Sequence, residues 1–324
     1  MNTANSKKLQ IFSGSHHQEL AKMVAKRLGI GLSDTGIERF ANGEIKCHLE
    51  ESVRGADVFI FQAHTDSVAE ALMEQAIIID AAKRASASHI TAVCPFFGYA
   101  RQDRKSAGRE PITARLVVDI LSAAGADRIA SVDLHAGQIQ GFFNGPFDHL
   151  IALPALVEHI KDKFKGEELV IVSPDAGRVK LTERYASRLN AEIAIVHKRR
   201  FKKNEAEAID IIGNIKNKRC IIIDDMIDTA GTMCAAAQLL MDSGAKSVSA
   251  AATHGLFSDP AIERIEKSPI DHLAVTNTLP LPEKSKQLKS LEVISVVDLI
   301  ADAVKAIFEQ GSVSALFDGL NQEL

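Results

Sequence analysis

The sequence predicts an α/β protein made of two similar halves, each a mostly parallel sheet covered by helices on both faces. Three observations carry this. Short apolar, β-branched runs alternate with helical periodicity along the chain, as in VFIFQA from Val58, a helix from Ser67 to about Ser86, and HITAVCPF from His89. Such alternation is the mark of βα units feeding a buried parallel sheet. The second half also repeats the first: LQIFSG from Leu9 matches LVIVSPD from Leu169 at an offset of 160, VFIFQ matches CIIIDD from Cys220 at 162, and SHITAVCP from Ser88 matches KSVSAAAT from Lys246 at 158. Finally, 324 residues exceed the roughly 250–300 at which one core stops growing, which favours two domains of about 160 residues.

The elements follow in order. The first strand, LQIFSG, precedes the helix ELAKMVAKRLG, and its counterpart LVIVSPD precedes RVKLTERYASRLN. The repeat places the boundary between Asp148 and Pro154. The expected division is 8–149, 150–303, and a tail, 304–324. The segment from Asp302 to Phe317 reads as a helix followed by SVSALF, which either half could own, with packing on the first half as one arrangement.

Composition excludes several classes. A quarter of the residues are charged and the net charge is -4, so disorder, collagen, coiled coil and general attraction to nucleic acid are disfavoured. The longest stretch without Asp, Glu, Lys or Arg runs 16 residues from Ala85 to Ala100 and contains Pro95 and Gly98, short of the roughly 20 needed for a membrane span. The start, MNTANSKKLQIF, lacks an apolar secretion core, and a cytoplasmic location is expected. Cys47, Cys94, Cys220 and Cys234 form no CxxC pair and read as reduced thiols.

The chemistry concentrates in CIIIDDMIDTAGT, Cys220 to Thr232. An apolar strand ends in Asp224 and Asp225, and a Gly-containing turn opens an Ala-rich helix. The amides of Thr229, Ala230, Gly231 and Thr232, with the helix N-terminus and the two threonine hydroxyls, would hold a phosphate monoester. The adjacent acids would face vicinal sugar hydroxyls or hydrated magnesium. The bland alternative is an acidic helix cap.

Other segments are weaker alone. In RFANGE, Phe40 offers a stacking face for a flat base, while Asn42 and Glu44 can pair with adenine; the plain reading is a strand-edge Asn-Gly turn at Gly43. In FFGYARQDRK, Arg101, Arg104 and Lys105 with Gln102 and Asp103 suit a polyphosphate, or form a solvated charge cluster. VDLH ends a strand in Asp133 and His135, and IVSPD ends another in Asp175. Both could hold magnesium, although histidine is an unusual ligand for so hard a cation and a hydrogen-bonded core role competes. KRRFKK, from Lys198 to Lys203, packs five cations into six residues, but one aromatic and the following Glu205 and Glu207 argue against nucleic acid. A solvated loop is the plain alternative.

The motif at Asp224 to Thr232 resembles the phosphoribosyl-diphosphate loop of type I phosphoribosyltransferases and of ribose-phosphate diphosphokinases. RFANGE, FFGYARQDRK, REPITA from Arg109, VDLHAGQIQGFF from Val132, SPDAG from Ser173 and HKRR from His197 resemble the diphosphokinase family in order and spacing, from about Leu9 to Phe317. The resemblance implies two duplicated type I phosphoribosyltransferase-like domains and an ATP-using, phosphate-stimulated enzyme. It implies ATP binding by Phe40, Asn42, Gly43, Glu44, Arg101, Gln102 and Asp103. Ribose 5-phosphate would be bound by Arg200, Asp224, Asp225, Asp228, Thr229, Ala230, Gly231 and Thr232, and magnesium by His135 and Asp175. Lys198 and Arg200 would be catalytic, on a mobile loop. It also implies homo-oligomers up to hexamers and an ADP and phosphate regulatory site with Ser312 and Ser314 as candidates. Two departures stand out: many members read SPDxGG where this chain has Arg178, making the loop tighter or more basic, and many have Pro where Phe201 stands. The expected reaction moves the diphosphoryl group of ATP to the anomeric hydroxyl of ribose 5-phosphate. The rivals are a nucleobase phosphoribosyltransferase and a non-catalytic regulatory relative, though Lys198, Arg200, His135 and Asp175 are all present.

Overall fold

The computed structural model describes residues 8–199 and 208–317. Its contacts divide the chain into two units, one holding the chain up to Ile151 with Thr278–Pro280 and everything from Val296, the other holding Ala152–Asn277 and Leu281–Ser295.

The first unit runs β1 (Leu9–Ser13), α1 (Gln18–Arg27), β2 (Leu32–Ser33), β3 (Glu38–Arg39), β4 (Ile45–Lys46), β5 (Asp57–Phe61), α2 (Val68–Arg84), β6 (His89–Cys94), α3 (Thr113–Ala124), β7 (Arg128–Val132) and β8 (Phe147–Leu150). Six strands pair in the order β2-β1-β5-β6-β7-β8, all parallel, and β3 with β4 forms a separate antiparallel ribbon. Every residue of β5 is buried, as a central parallel strand covered on both faces requires. Where β1 and β5 end, the buried Glu74 carboxylate of α2 accepts from the Ser15 hydroxyl at 2.9 Å, from the Ser15 amide, and from Gln62 Nε2 at 2.9 Å. Arg39 Nη2 lies 3.7 Å from its other side.

The second unit runs α4 (Leu153–Lys163), β9 (Leu169–Ser173), α5 (Val179–Leu189), β10 (Glu192–Arg199), β11 (Ala208–Ile212), β12 (Arg219–Ile227), α6 (Gly231–Asp242), β13 (Ser247–Gly255), α7 (Ala261–Glu266), β14 (Ile270–Thr276) and β15 (Leu291–Ile294). The order is β11-β10-β9-β12-β13-β14-β15, parallel except for β11. The helices bury one stripe each: Leu153, Leu156, Val157 and Ile160 on α4, and Met233, Ala236, Ala237 and Leu240 on α6 recur at the i, i+3, i+4, i+7 spacing of a single face.

Apart from the added β11, the two sheets share one strand order, and their rungs share one register. Leu9 pairs with Asp57 and Asp57 with His89; Leu169 pairs with Arg219 and Arg219 with Ser247, standing 160, 162 and 158 residues later. One strand further on, the rung Ile129–Phe147 corresponds to Leu273–Leu291, only 144 residues later. The first unit therefore carries 14 more residues between its β6 and β7, in the stretch that contains YARQDRK.

Two expectations are corrected. The strand begun by CIII does not end at its acids but runs through them to Ile227, because Asp224, Met226 and Ile227 keep pairing with β13. The helix α8 spans Val297–Phe308 and not a stretch from Asp302; it packs on α1 and β8 within the first unit, and among the described residues a 3-10 turn, Ser314–Phe317, follows it. None of the four cysteines is in a disulfide. Among the described residues no helix is long and apolar enough to cross a membrane.

Candidate active site

In the second unit, β12 delivers Asp224 and Asp225 to the carboxyl end of the sheet, and the chain then turns through Asp228, Thr229 and Ala230 into α6. Ala230 precedes the first helical residue with φ 56°, the left-handed region, which costs a residue with a Cβ about 1–2 kcal/mol. Strain at this turn is held by the packing of β12 and α6, and it leaves the first amides of a 12-residue helix without a side-chain cap. Uncapped helix amides of this kind offer donors and partial positive charge to an anion. Beside it, Arg264 of α7 donates through Nη1 to the Thr229 carbonyl at 2.9 Å, and the same nitrogen lies 3.2 Å from where a side chain on Gly231 would begin. Sequence reasoning missed Arg264, since ERIEK reads as an ordinary solvated helix.

The acid pair is not open. Arg178, at the end of the 3-10 turn Ala176–Arg178 after β9, places Nε 3.2 Å from Asp224 Oδ1 and Nη2 2.9 Å from Asp225 Oδ1. The Asp225 amide donates to Asp224 Oδ1 at 2.9 Å. Burial, then the neighbouring Asp225, push the Asp224 carboxyl up to about 8, and Arg178 opposes the shift. Two carboxyls this close hold one proton between them more readily than two charges. The departure from SPDxGG thus has a definite place: its side chain spans both acids. In the same turn Asp175 Oδ1 accepts from the Gly177 amide at 2.7 Å, while the Ser173 hydroxyl donates to the Asp175 carbonyl at 2.6 Å. Lys198 lies within β10, its backbone paired with Ile209, so the basic run begins in a strand and not a loop. Arg200 and Phe201 lie outside the described residues.

In the first unit, RFANGE closes the β3–β4 ribbon. Gly43 donates to the Phe40 carbonyl at 2.8 Å, Phe40 to that of Glu44 at 2.9 Å, and Asn42 Oδ1 accepts from the Glu44 amide at 3.2 Å. The strand-edge turn is therefore real, and it uses the Asn42 carbonyl oxygen. It also leaves Phe40 54% exposed over an open pocket of about 450 Å³ lined by Arg39, Gly43, Glu44, Glu70 and Met73.

FFGYARQDRK is anchored at one end and organised at the other. The Gly98 amide donates to His64 Nδ1 at 3.1 Å, so His64 Nε2 carries the proton and donates to Gln75 at 2.9 Å. A Cβ on Gly98 would stand 2.7 Å from His64 Cβ and 2.7 Å from Val68, so only glycine fits this approach. Gln102 accepts from the Thr113 hydroxyl at 2.6 Å and from the Ala114 amide at 3.2 Å, tying the segment to the start of α3. Gln138 donates to Asp103. Glu110 accepts from both the amide and hydroxyl of Ser106 and from Ala107, closing the loop; sequence reasoning gave it no part. Arg101 is exposed.

His135 follows β7, half-buried, in the first unit, and Asp175 belongs to the second. Asp175 and the acid pair offer the oxygen donors that magnesium favours, whereas His135 is the softer donor. In the tail, Ser312 Oγ accepts from the Ala315 amide at 3.3 Å.

Two family models match the chain, the N-terminal domain of ribose phosphate pyrophosphokinase over residues 9–125 and the phosphoribosyl synthetase-associated domain over residues 199–318. The chain is 50% identical to a ribose-phosphate pyrophosphokinase of Streptomyces avermitilis over 318 residues, 98% of each chain. It is 51% identical to that of Bifidobacterium longum, over 96% of this chain and 93% of the relative. A crystal structure of phosphoribosylpyrophosphate synthetase from Mycobacterium smegmatis superposes with a TM-score of 0.90 at 48% identity, covering 94% of this chain and all of that one. Identity of this extent, end to end and on one fold, places the chain in the ribose-phosphate pyrophosphokinase family.

Proposed function

We propose that the two units divide the family's reaction, the first taking the nucleotide and the second the sugar phosphate. The chain forms 5-phosphoribosyl 1-diphosphate and AMP from ATP and ribose 5-phosphate. The observation that supports the assignment is the strained turn after β12, where uncapped helix amides stand beside Thr229, Thr232 and Arg264, groups that donate to a phosphate.

In this reading Asp228 to Thr232 hold the 5-phosphate, and Asp224 with Asp225 accept from the ribose hydroxyls, which requires Arg178 to share or release them. Phe40 stacks on adenine, Asn42, Gly43 and Glu44 edge the base, and Arg101, Gln102 and Asp103 face the polyphosphate. The anomeric oxygen bonds to the β-phosphorus as the bond from that phosphorus to the α,β-bridging oxygen breaks; the bridging oxygen leaves with AMP, and the hydroxyl proton passes to solvent. Lys198 and Arg200 neutralise the charge spread over the moving group, the main help such a transfer needs. Magnesium, held by Asp175 and His135, would supply charge neutralisation on the polyphosphate. The same reading includes a cytoplasmic homo-oligomer, a hexamer, with ADP and inorganic phosphate as regulators acting near Ser312 and Ser314.

A coupled assay for AMP released from ATP and ribose 5-phosphate tests the activity, with AMP expected in proportion to product. No AMP, but consumption of phosphoribosyl diphosphate with a nucleobase, would turn the reading to a phosphoribosyltransferase. Binding of both substrates without turnover would turn it to a regulatory relative.

A further inference from the structure

Away from this site, three side chains from distant parts of the sequence converge within the second unit. His159 comes from the last turns of α4, His272 from β14, and Glu292 from the edge strand β15. On the sheet Glu292 pairs with Ala274, two residues along from His272, so the two side chains share one face as diagonal neighbours. The register of β14 against β13 shifts just before His272, an irregularity of the kind that re-aims a side chain. The result brings His159 Nε2 to 3.0 Å from His272 Nε2 and to 3.6 Å from Glu292 Oε2. One ligand atom from each residue lies within 4.8 Å of the others.

Two imidazole nitrogens and one carboxylate oxygen form a recognised donor set. With Zn–N of about 2.0–2.1 Å, tetrahedral ligands lie about 3.3 Å apart, and the separations of 3.0 and 3.6 Å bracket that value. The surroundings suit a fixed site. His272 is 6% exposed, and Phe164 packs edge-on against it with centroids 5.5 Å apart. Arg219 covers the face of Phe164 at 4.4 Å and is held by Glu167 and Asp271. Lys163, one turn beyond His159, pairs with Oε1 of Glu292, which also lies 3.8 Å from His272 Nδ1, and leaves Oε2 directed at His159.

We propose that His159, His272 and Glu292 form a second cation site, for a zinc-class divalent metal, that fastens α4 to the edge of the second unit's sheet. Nitrogen donors make it a poor site for magnesium and a good one for zinc or cobalt. Lys163 is a built-in competitor, since its ammonium already neutralises the carboxylate.

The test uses the full chain, stripped with chelator and titrated with Co²⁺ and then Zn²⁺ in excess Mg²⁺, followed by the visible absorption of four-coordinate cobalt and by melting temperature. The expected result is one cobalt per chain, displaced by zinc and not by magnesium, with a raised melting temperature. His159→Ala and Glu292→Gln should each weaken binding at least tenfold, the scale on which loss of supporting groups alone acts. Lys163→Met should tighten it, and His135→Ala should leave it unchanged. Circular dichroism confirms that each variant folds; the half-exposed Glu292 gives a readout even where the histidine variant does not. Equal affinity in wild type, His159→Ala and Glu292→Gln, displacement by magnesium, or loss of binding in His135→Ala alone would overturn the proposal.

Discussion

Arg178→Ala should be the most informative substitution near the acid pair. The guanidinium spans Asp224 and Asp225, with side chains 19%, 20% and 7% exposed respectively. Removing one partner of a buried ion pair costs about 3–5 kcal/mol. Here the cost is reduced, because burial and the neighbouring Asp225 raise the Asp224 carboxyl well above its ordinary range, so the pair carries less than two full negative charges. We expect a loss of about 2–3 kcal/mol. For a unit of this size, at roughly 3 °C per kcal/mol, that is about 6–9 °C in melting temperature. The pH dependence has a definite sign. A carboxyl raised above its ordinary 3.8 holds a proton in the folded chain that the unfolded chain has released, so wild-type stability falls as pH rises, until about pH 8. Without Arg178 the upper limit moves higher, so the gap between variant and wild type should be flat below about pH 8 and widen above it. Calorimetry in EDTA, at pH 6 to 9, measures this; Mg²⁺ should then restore more stability to the variant than to the wild type, since a divalent cation can take the vacated place. An unchanged melting temperature, or a gap that narrows above pH 8, would refute the electrostatic account of Arg178.

Asp228→Ala should raise KM for ribose 5-phosphate far more than KM for ATP, and equal effects in steady-state kinetics would remove Asp228 from the sugar side. Lys198→Ala should lose about 10²–10³ in kcat, with KM values within a few fold, as expected for a group that acts mainly on the transition state; a KM effect of that size with kcat intact would contradict its role. His64, wholly buried, has its imidazole pushed down to about 4 by desolvation. The folded chain therefore binds fewer protons than the unfolded chain between about 6.5 and about 4, and stability is lost as pH falls through that window, about 3 kcal/mol in all. Urea unfolding should show the deficit of His64→Gln shrinking by about that amount from pH 6.5 to 4, and a constant deficit would mean that His64 is protonated in the fold.

Much of this protein was legible in its residues. The offsets of 160, 162 and 158 reappear as the rungs of two equivalent sheets, because β-branched apolar runs are forced into central parallel strands wherever both faces are covered. The turn from β12 into α6 was legible for a similar reason, since acids and a glycine after an apolar strand have few other structural uses. What stayed hidden depends on side-chain reach. Arg178 in sequence is one cation after a glycine, and nothing local shows that its fork spans two carboxylates on another strand. Arg264 and Glu110 sit in ordinary charged stretches. The extension of β12 through Asp224 and Asp225 was missed because charged residues depress strand expectation, while pairing with β13 on one side was enough to continue the strand.

The buried side chain of Glu74 marks a difference between the two copies of the fold. By the register of the two sheets, Ser15 stands where Asp175 stands and Gln62 where Asp224 stands, so Glu74, which binds both, occupies in the first copy the place that Asp175 and Asp224 flank in the second. One copy of the ancestral crevice is thus self-liganded. If the second copy's crevice holds the sugar, as proposed, its counterpart in the first copy is already filled by the chain's own Glu74 side chain.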